Sequence, residues 1–300
     1  MAGVPESITS EGIGAMTPGS YRRAMATPSP STGRPVGALL RQWRERRGLS
    51  QLHLACRADV SSRHVSFLET GRSQPSREML LHLAEELEVP LRERNALLMA
   101  AGYAPVYAER SLDDPALQAT REAVELVLKG HEPYPALAVD RHWSLVSANR
   151  ALGALLTGIA PELLQPPVNV LRLSLHPAGL APRILNLAQW RAHLLARLRH
   201  QVDLTADPVL SALHDELRGY PAPEGPAHGK GRESEPVGVV VPLRLETAVG
   251  VLSFFSTITV FGTPIDITLS ELAIESFFPA DPATAEALRR LSEMAAPPAA

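Results

Sequence analysis

The residues with the clearest chemical potential are arginines crowded into the first third of the sequence. Residues 34–82 contain nine arginines and four acidic residues, a local excess of five positive charges. The whole chain has a formal charge of −3, so the remaining residues together carry −8. A basic segment joined to an acidic one predicts that only the first meets a polyanion such as DNA. Because arginine-rich helix faces are also common on solvated surfaces, charge alone leaves that alternative open.

Two short helices with a tight connection are predicted inside this basic segment. Ser50 has the type and position of a cap for a helix over Gln51–Arg57, and Ser61 caps the next helix. A connection of about four residues forces the two helices to cross steeply. The N-terminus of the second helix offers unpaired N–H groups to phosphates or base edges, and a major groove about 12 Å wide admits such a helix. Its outer face carries Ser62, Arg63, Ser66 and Phe67.

The surrounding elements predict a compact all-α domain of five short helices over residues 36–105. Gly48 and Gly71 have the positions of C-terminal helix glycines, and Ser76 caps the fourth helix. Cys56 is predicted to be a small core residue rather than a redox sensor. Residues 1–35, rich in Gly, Pro, Ser and Thr, predict a disordered tail. The apolar spacing predicts an inward face of Leu39, Leu40, Trp43, Leu52, Ala55, Val65, Leu68, Met79, Leu80, Leu83 and Leu87.

The pattern over residues 112–295 predicts an α+β domain with an antiparallel sheet. Asp113-Asp114-Pro115 starts a long helix ending near Gly130, and Asn186–Val202 is a second, with Leu187, Trp190, Leu194 and Leu198 in one stripe. Residues 219–238 have the composition of a loop. A sheet with one helix-covered face commonly forms a small-molecule pocket. A strand pair and a later three-strand meander are predicted over Ala136–Asp140, Ser144–Ala148, Val239–Leu245, Val249–Val260 and Ile265–Ile274.

Composition and motifs exclude several classes of protein. With 300 residues, 45% hydrophobic and 20% charged, the chain has enough apolar surface for sizeable cores. Its single cysteine excludes an internal disulfide framework and a Cys-rich zinc module. The ten histidines lack metal-ligand spacing, and no phosphate-binding loop or nucleophile elbow is present. We therefore expect no catalytic residues, no metal, no cofactor and no enzyme. Without a visible secretory signal or membrane span, we expect a cytoplasmic protein with no membrane partner.

The segment Leu49–Ser76 carries a family resemblance. Its Ser-Gln helix start, Glu-Thr-Gly helix end and following Pro-Ser closely resemble the Xre-type helix-turn-helix of phage-repressor-like regulators, over residues 36–103. The resemblance implies a partly buried ion pair between Arg44 and Glu69, which fixes orientation more than it adds stability.

The same resemblance implies a set of DNA contacts. Gln51, Ser61 and Arg77 match phosphate-contacting positions, whereas Ser62 and Arg63 match positions that contact bases. Arg63 has the chemistry for bidentate hydrogen bonds to guanine O6 and N7, and its alternative is a phosphate contact. Phe67 departs from the polar residue of many phage repressors, so it packs on a thymine methyl or covers the core edge. The full predicted DNA-binding set is Gln51, Ser61, Ser62, Arg63, Ser66, Phe67, Arg72 and Arg77.

A second resemblance covers the following domain. Tyr134-Pro-Ala-Leu-Ala-Val-Asp140, Ser147-Ala-Asn-Arg150, the helix from Asn186 to Trp190 and the strands between Phe254 and Phe278 resemble the PAS-like ligand-binding region of MmyB-like bacterial transcription regulators. The resemblance implies a hydrophobic, fatty-acid-like ligand, whose carboxylate would need a fixed donor; the alternative is an ordinary core and a domain that only dimerises. The candidate ligand-binding residues are Trp143, Asn149, Arg183, Asn186, Trp190, His193 and Arg197.

These inferences combine into one functional hypothesis. The chain is expected to be a homodimeric, sequence-specific DNA-binding regulator, a repressor, that binds a pseudo-palindromic operator of double-stranded DNA and senses a small hydrophobic ligand. One alternative is an antitoxin-like interaction protein whose acidic domain binds a protein partner. The other is a DNA-tethered enzyme, which the missing catalytic motif weakens.

Overall fold

The computed structural model describes residues 35–221, 241–261 and 266–295, which form two domains with separate apolar cores. The predicted tail over residues 1–35 therefore lies outside the described residues except for Pro35. Most of the predicted loop over residues 219–238 also lies outside them.

Five helices build the first domain, so its predicted all-α class is confirmed. The side chains of Ser50, Ser61 and Ser76 each accept a hydrogen bond from the backbone N–H three residues further on, as expected of N-caps. Gly48 and Gly71 adopt positive φ angles of 66° and 71° where the chain leaves a helix. The helices are α1 Val36–Arg46, α2 Gln51–Arg57, α3 Ser62–Glu69, α4 Arg77–Glu86 and α5 Leu91–Ala100.

Two predicted core residues of α2 were assigned wrongly. Leu52 is 60% exposed, and Cys56 is also exposed. The residues that α2 buries are Leu54 and Ala55. Because Leu52 and Cys56 lie four residues apart, they share one helix face, and that face points away from the buried pair.

Helix α1 packs closely against the C-terminal end of α3. A methyl group added at Gly37 would overlap the carbonyl oxygens of Leu68 and Glu69. Only glycine permits this approach, since any other residue would place a Cβ atom there. The contact fixes α1 against the helix that carries the predicted DNA-contacting residues.

The second domain contains one antiparallel sheet, which confirms the predicted α+β, PAS-like class. Its strand order is β2-β1-β5-β4-β3, so the predicted meander and strand pair are joined through β5, which pairs with both β1 and β4. The strands are β1 Ala136–Val139, β2 Leu145–Ala148, β3 Leu243–Thr247, β4 Gly250–Val260 and β5 Ala273–Pro279.

The third meander strand lies later in the chain than predicted. Within the predicted range Ile265–Ile274, residues Ile267–Ser270 form a short helix. The buried side chain of Asp266 caps it by accepting from the N–H of Thr268 at 2.9 Å. This cap overrides the β-propensity of the isoleucines and threonine, so that β5 starts only at Ala273.

Helices cover both faces of the sheet. On one face Ala136, Ala138 and Ile274 pack against Val124 and Leu128 of the helix that follows the first domain. The opposite face packs on the longer helices, where the predicted stripe of Trp190, Leu194 and Leu198 is buried. The helices of this domain are α6 Gln118–Gly130, α7 Arg150–Leu155, α8 Val170–Leu175, α9 Leu187–Thr205, α10 Pro208–Gly219, α11 Ile267–Ser270 and α12 Pro282–Ala295, with 3₁₀ turns at Pro115–Leu117, Pro161–Leu164 and Ala181–Arg183.

Candidate DNA interface and ligand cavity

The N-terminal turn of α3 is open to solvent. Ser61, Ser62 and Arg63 are all exposed, while Val65 and Leu68 anchor the opposite side of the helix in the core. The Ser61 hydroxyl accepts from the N–H of His64 at 3.1 Å and thus shapes the first turn. The remaining N–H groups and positive dipole end of this turn face outward, which suits contact with phosphate oxygens or base edges.

Phe67 brings two predicted DNA-binding arginines together. The Cζ atom of Arg63 lies 5.1 Å from the centroid of the Phe67 ring, and that of Arg72 lies 5.9 Å from it. Phe67 itself is half-buried. Cation–π attraction therefore holds both guanidinium groups at one aromatic ring on the outer side of α3. Neither sequence interpretation of Phe67 included this role.

Arg44 and Glu69 form the ion pair that the resemblance implied. The Arg44 Nε and Nη2 atoms donate to the two Glu69 carboxylate oxygens at 2.5 and 2.9 Å, and both side chains are buried. Arg44 Nη1 also donates to the carbonyl oxygen of Leu49 at 2.6 Å. The hydrogen bond to Glu69 raises the pKa of Arg44, against the opposing effect of burial. This pair ties α1 to the end of α3.

The other predicted phosphate contacts differ in their surroundings. Gln51 Nε2 donates to Glu69 Oε2 at 2.8 Å, so this side chain is part of the buried network instead of projecting freely. Arg77 is exposed at the first position of α4. Ser66 is half-buried, and its carbonyl oxygen accepts from the Thr70 hydroxyl at 2.7 Å.

An apolar cavity lies between the sheet and the helices of the second domain. It encloses about 730 Å³ of empty space, including its opening to solvent. A mainly apolar lining with a few polar groups is typical of small-molecule sites. The lining residues are Leu137, Leu145, Leu152, Leu155, Leu156, Val170, Leu171, Leu173, Ser174, Leu180, Trp190, Leu194, Leu243, Leu245, Phe254, Glu275 and Phe277.

Of the seven predicted ligand-binding residues, Trp190 lines this cavity and the other six do not. Asn149 caps α7 and donates to two backbone carbonyl oxygens. Arg183 donates to three, and Asn186 bonds to backbone groups beside β3. These three side chains join segments of the fold, because polar groups placed between packed elements must find partners there.

The remaining three predicted residues lie next to lining residues. The His193 ring stacks on Trp190 with centroids 5.6 Å apart. Arg197 lies over Trp143, with its Cζ atom 4.2 Å from the ring centroid. The Trp143 Nε1–H donates to Gln201 at 2.8 Å. Burial, together with the charge of Arg197, lowers the pKa of His193.

Glu275, the acidic residue of the cavity lining, is not among the predicted ligand-binding residues. It is only 5% exposed, and its Oε1 atom accepts from Arg197 Nη1 at 3.2 Å. The sequence feature that could have indicated its role is a single acidic residue inside the apolar strand Ala273–Pro279. The leucines that α7 and α8 contribute to the lining were not predicted either. The sequence of a short apolar helix does not indicate which cavity its side chains will line.

Matches to known protein families agree with both the candidate DNA interface and the ligand cavity. A helix-turn-helix domain model matches residues 35–97. The model of the MmyB-like transcription regulator ligand binding domain matches residues 120–291, more than half of the chain. The chain belongs to the MmyB-like transcription regulator family. It is accordingly a DNA-binding transcription regulator with a ligand-binding domain.

Further comparisons add little to this assignment. The crystal structure of the clp gene regulator ClgR from Corynebacterium glutamicum is 30% identical over 33% of this chain and 90% of that one, with a TM-score of 0.20. No curated protein matches the chain. Within the described residues, no group of three or more His, Cys, Asp or Glu is placed to hold a metal. No helix there is long and apolar enough to cross a membrane.

Ion pairs join the two domains of this MmyB-like regulator. Arg92 of α5 donates to both carboxylate oxygens of Glu271 at 2.8 and 2.9 Å, and it pairs with Glu109 at 2.6 Å. Burial opposes the charge on Arg92, but these two carboxylates outweigh it and raise its pKa. At a second point, Arg47 Nη2 donates to the carbonyl oxygen of Leu204 near the end of α9 at 3.3 Å. The DNA-binding domain therefore contacts α9, which lines the cavity, and Glu271, which lies two residues before β5.

Proposed function

We propose that this protein is a repressor that binds a specific operator through α3 and responds to a small hydrophobic ligand held in the cavity. The observation that carries the proposal is the combination, in one chain, of an exposed helix N-terminus that carries Arg63 with an apolar cavity lined in part by α9, which contacts the DNA-binding domain. The protein acts in the cytoplasm, where DNA is accessible.

For DNA recognition, Ser62 and Arg63 contact base edges, while Ser61, Arg72 and Arg77 contact phosphates. The exposure of Ser62 and Arg63 on the outer side of α3 supports their assignment to base edges. Phe67 orients the Arg63 guanidinium, and an oriented guanidinium loses less conformational entropy when it forms two bonds to a guanine. Gln51 contributes by holding Glu69 and thereby α3 itself.

The ligand has a largely apolar body, such as a fatty-acid-like chain. Fifteen of the seventeen residues that line the cavity are apolar, so burial of hydrocarbon supplies most of the binding free energy. A purely structural core is the alternative explanation of the leucine stripe, and the match of residues 120–291 to a ligand-binding domain model supports the ligand instead.

Ligand binding changes DNA affinity through β5 and α9. Glu275 and Phe277 of β5 line the cavity, and Glu271, just before that strand, holds Arg92 of the first domain. Helix α9 contributes Trp190 and Leu194 to the wall, and its last turn meets Arg47. A ligand acts in this way only if it binds two arrangements of the domains with unequal affinity.

A homodimer presents two copies of α3 to two half-sites. Two-fold pairing makes the operator pseudo-palindromic, with half-sites about 34–36 Å apart or a multiple of that distance. Native mass spectrometry of the full chain measures the subunit number, and a monomer at micromolar concentration contradicts this part of the proposal.

Selection from a pool of randomised duplexes tests the proposal for DNA. The wild-type chain is expected to enrich a pseudo-palindromic sequence, and Arg63→Ala to lose preference within it. Arg290→Ala, which removes an exposed arginine on α12, is the matched control and should behave as wild type. The absence of any enriched sequence, or an equal defect in the control, would contradict operator recognition by α3. Reporter expression from the enriched operator then distinguishes repression from activation.

A further inference from the structure

The cavity contains a carboxylate in an otherwise apolar wall. Glu275 is 5% exposed, and the other polar side chain in the lining is Ser174, whose hydroxyl oxygen accepts from Trp190 Nε1 at 2.9 Å. A buried charge is costly unless it is paired and hydrogen-bonded, so an acidic residue here requires a role that leucine or serine would not fill.

The pairing of Glu275 leaves hydrogen-bonding capacity at this end of the cavity. One contact of 3.2 Å joins Arg197 Nη1 to Glu275 Oε1, although a carboxylate has about four acceptor sites. The Nη2 atom of Arg197 is buried and has no hydrogen-bond partner among the described residues. Glu275, which is the member of the pair that lines the cavity, thus keeps acceptor capacity there.

The balance of charge around this pair is close to neutral. Glu275 and Arg197 cancel each other, and His193 adds no positive charge at neutral pH, since burial lowers its pKa. A ligand carboxylate bound here would place a second negative charge beside Glu275 in a water-poor site. Two negative charges held close together disfavour each other's ionisation by one or more pKa units. Because one pKa unit corresponds to about a tenfold change in affinity, binding of the carboxylate should be weakened by about tenfold or more.

We propose that the ligand carries a neutral hydrogen-bonding head group, a hydroxyl or an amide, that donates to Glu275, and that Glu275 selects against carboxylic acids. This inference rests on the proposed ligand-sensing function and specifies the ligand class for the same cavity.

Two probes with the same hydrocarbon chain test the head-group preference. Dodecan-1-ol and dodecanoate are titrated into the full chain at pH 7.5 by calorimetry, for the wild type and for Glu275→Gln. The substitution removes the charge but keeps an acceptor of similar shape. We expect dodecanoate affinity to rise about tenfold in the variant, while dodecan-1-ol affinity changes less than about threefold. The Glu246→Gln control, which alters an exposed residue of β3, should change neither.

Because a buried substitution can impair folding, Arg197→Gln provides an opposite test. Loss of its positive charge should lower dodecanoate affinity about tenfold and leave dodecan-1-ol binding within about threefold of wild type. If both probes bind the wild type but dodecanoate affinity is the same in wild type and Glu275→Gln, the head-group proposal is overturned and ligand sensing stands. If neither probe binds the wild type, the ligand-sensing function is itself overturned, and the head-group proposal with it.

Discussion

Breaking the Arg44–Glu69 pair is expected to destabilise the DNA-binding domain strongly. In Arg44→Met the apolar stem is retained, but Glu69, whose side chain is 2% exposed, loses its bonds of 2.5 and 2.9 Å and keeps only Gln51. Removing one partner of a buried ion pair costs about 3–5 kcal/mol, because an uncompensated charge stays buried. The carbonyl oxygen of Leu49 also loses its donor.

The double variant Arg44→Met/Glu69→Leu distinguishes the net contribution of the ion pair to the free energy of unfolding from the cost of leaving one buried charge without its partner. With both charges gone, most of the loss should be recovered, to within about 2 kcal/mol of wild type. Hydrogen exchange of amides in α1 and α3 across a urea series measures the local free energy of unfolding for the wild type, both single variants and the double variant. The exposed pair Arg41–Glu45 supplies the control, and Arg41→Met should destabilise the domain far less than Arg44→Met.

Two outcomes would refute this reasoning. A cost of less than about 1 kcal/mol for Arg44→Met would show that Glu69 reaches water or another donor once Arg44 is gone. A double variant as unstable as the sum of the single variants would show that the side chains contribute through packing rather than through their mutual charge.

Three further predictions concern separate sites. Arg63→Ala should relax discrimination at one or two base pairs by about 1–3 kcal/mol in assays of single-base operator variants; an equal loss for every sequence would make Arg63 a phosphate contact. Arg77→Ala should lower the slope of log affinity against log salt by about one, and an unchanged slope removes it from the phosphate contacts. Burial opposes ionisation of Asp207, but its hydrogen bond with His142 helps hold the pKa at about 2, below the usual value. Asp207→Asn should therefore lower the free energy of unfolding at pH 7, and the deficit should shrink as pH falls below about 4 and be small near pH 2; a deficit that is undiminished at pH 2 would mean that the charge is not its source.

Local signals in the sequence were sufficient for the first domain. The serine caps, the glycines after the helices and the 3.6-residue apolar period each act within about one helical turn, and together they predicted all five helices. The errors at Leu52 and Cys56 have a local cause as well. In the short helix α2, two apolar faces compete, and packing against α3 and α4 decides which one is buried.

The second domain shows where local signals end. The α+β class, the strand pair and the meander were predictable from β-propensity and chain order. The pairing of β5 with β1 was not, and the start of β5 depends on a buried cap at Asp266. The predicted ligand-binding residues were chosen for chemistry on or near one helix. Six of them lie outside the cavity lining, and most of these polar groups took partners within the packed fold, such as the backbone groups that Arg183 and Asn186 bond.

By itself, the sequence determined the caps, the helix boundaries, the basic helix-turn-helix and the α+β class, since these depend on neighbours a few residues apart. Only the tertiary structure decided that Arg197 meets Glu275 across 78 positions, that Arg92 meets Glu271 across 179, and that leucines from several segments enclose one space. The physical reason is that such contacts form when distant segments are brought together to bury apolar surface, and the spacing of residues along the chain carries no record of which segments will meet.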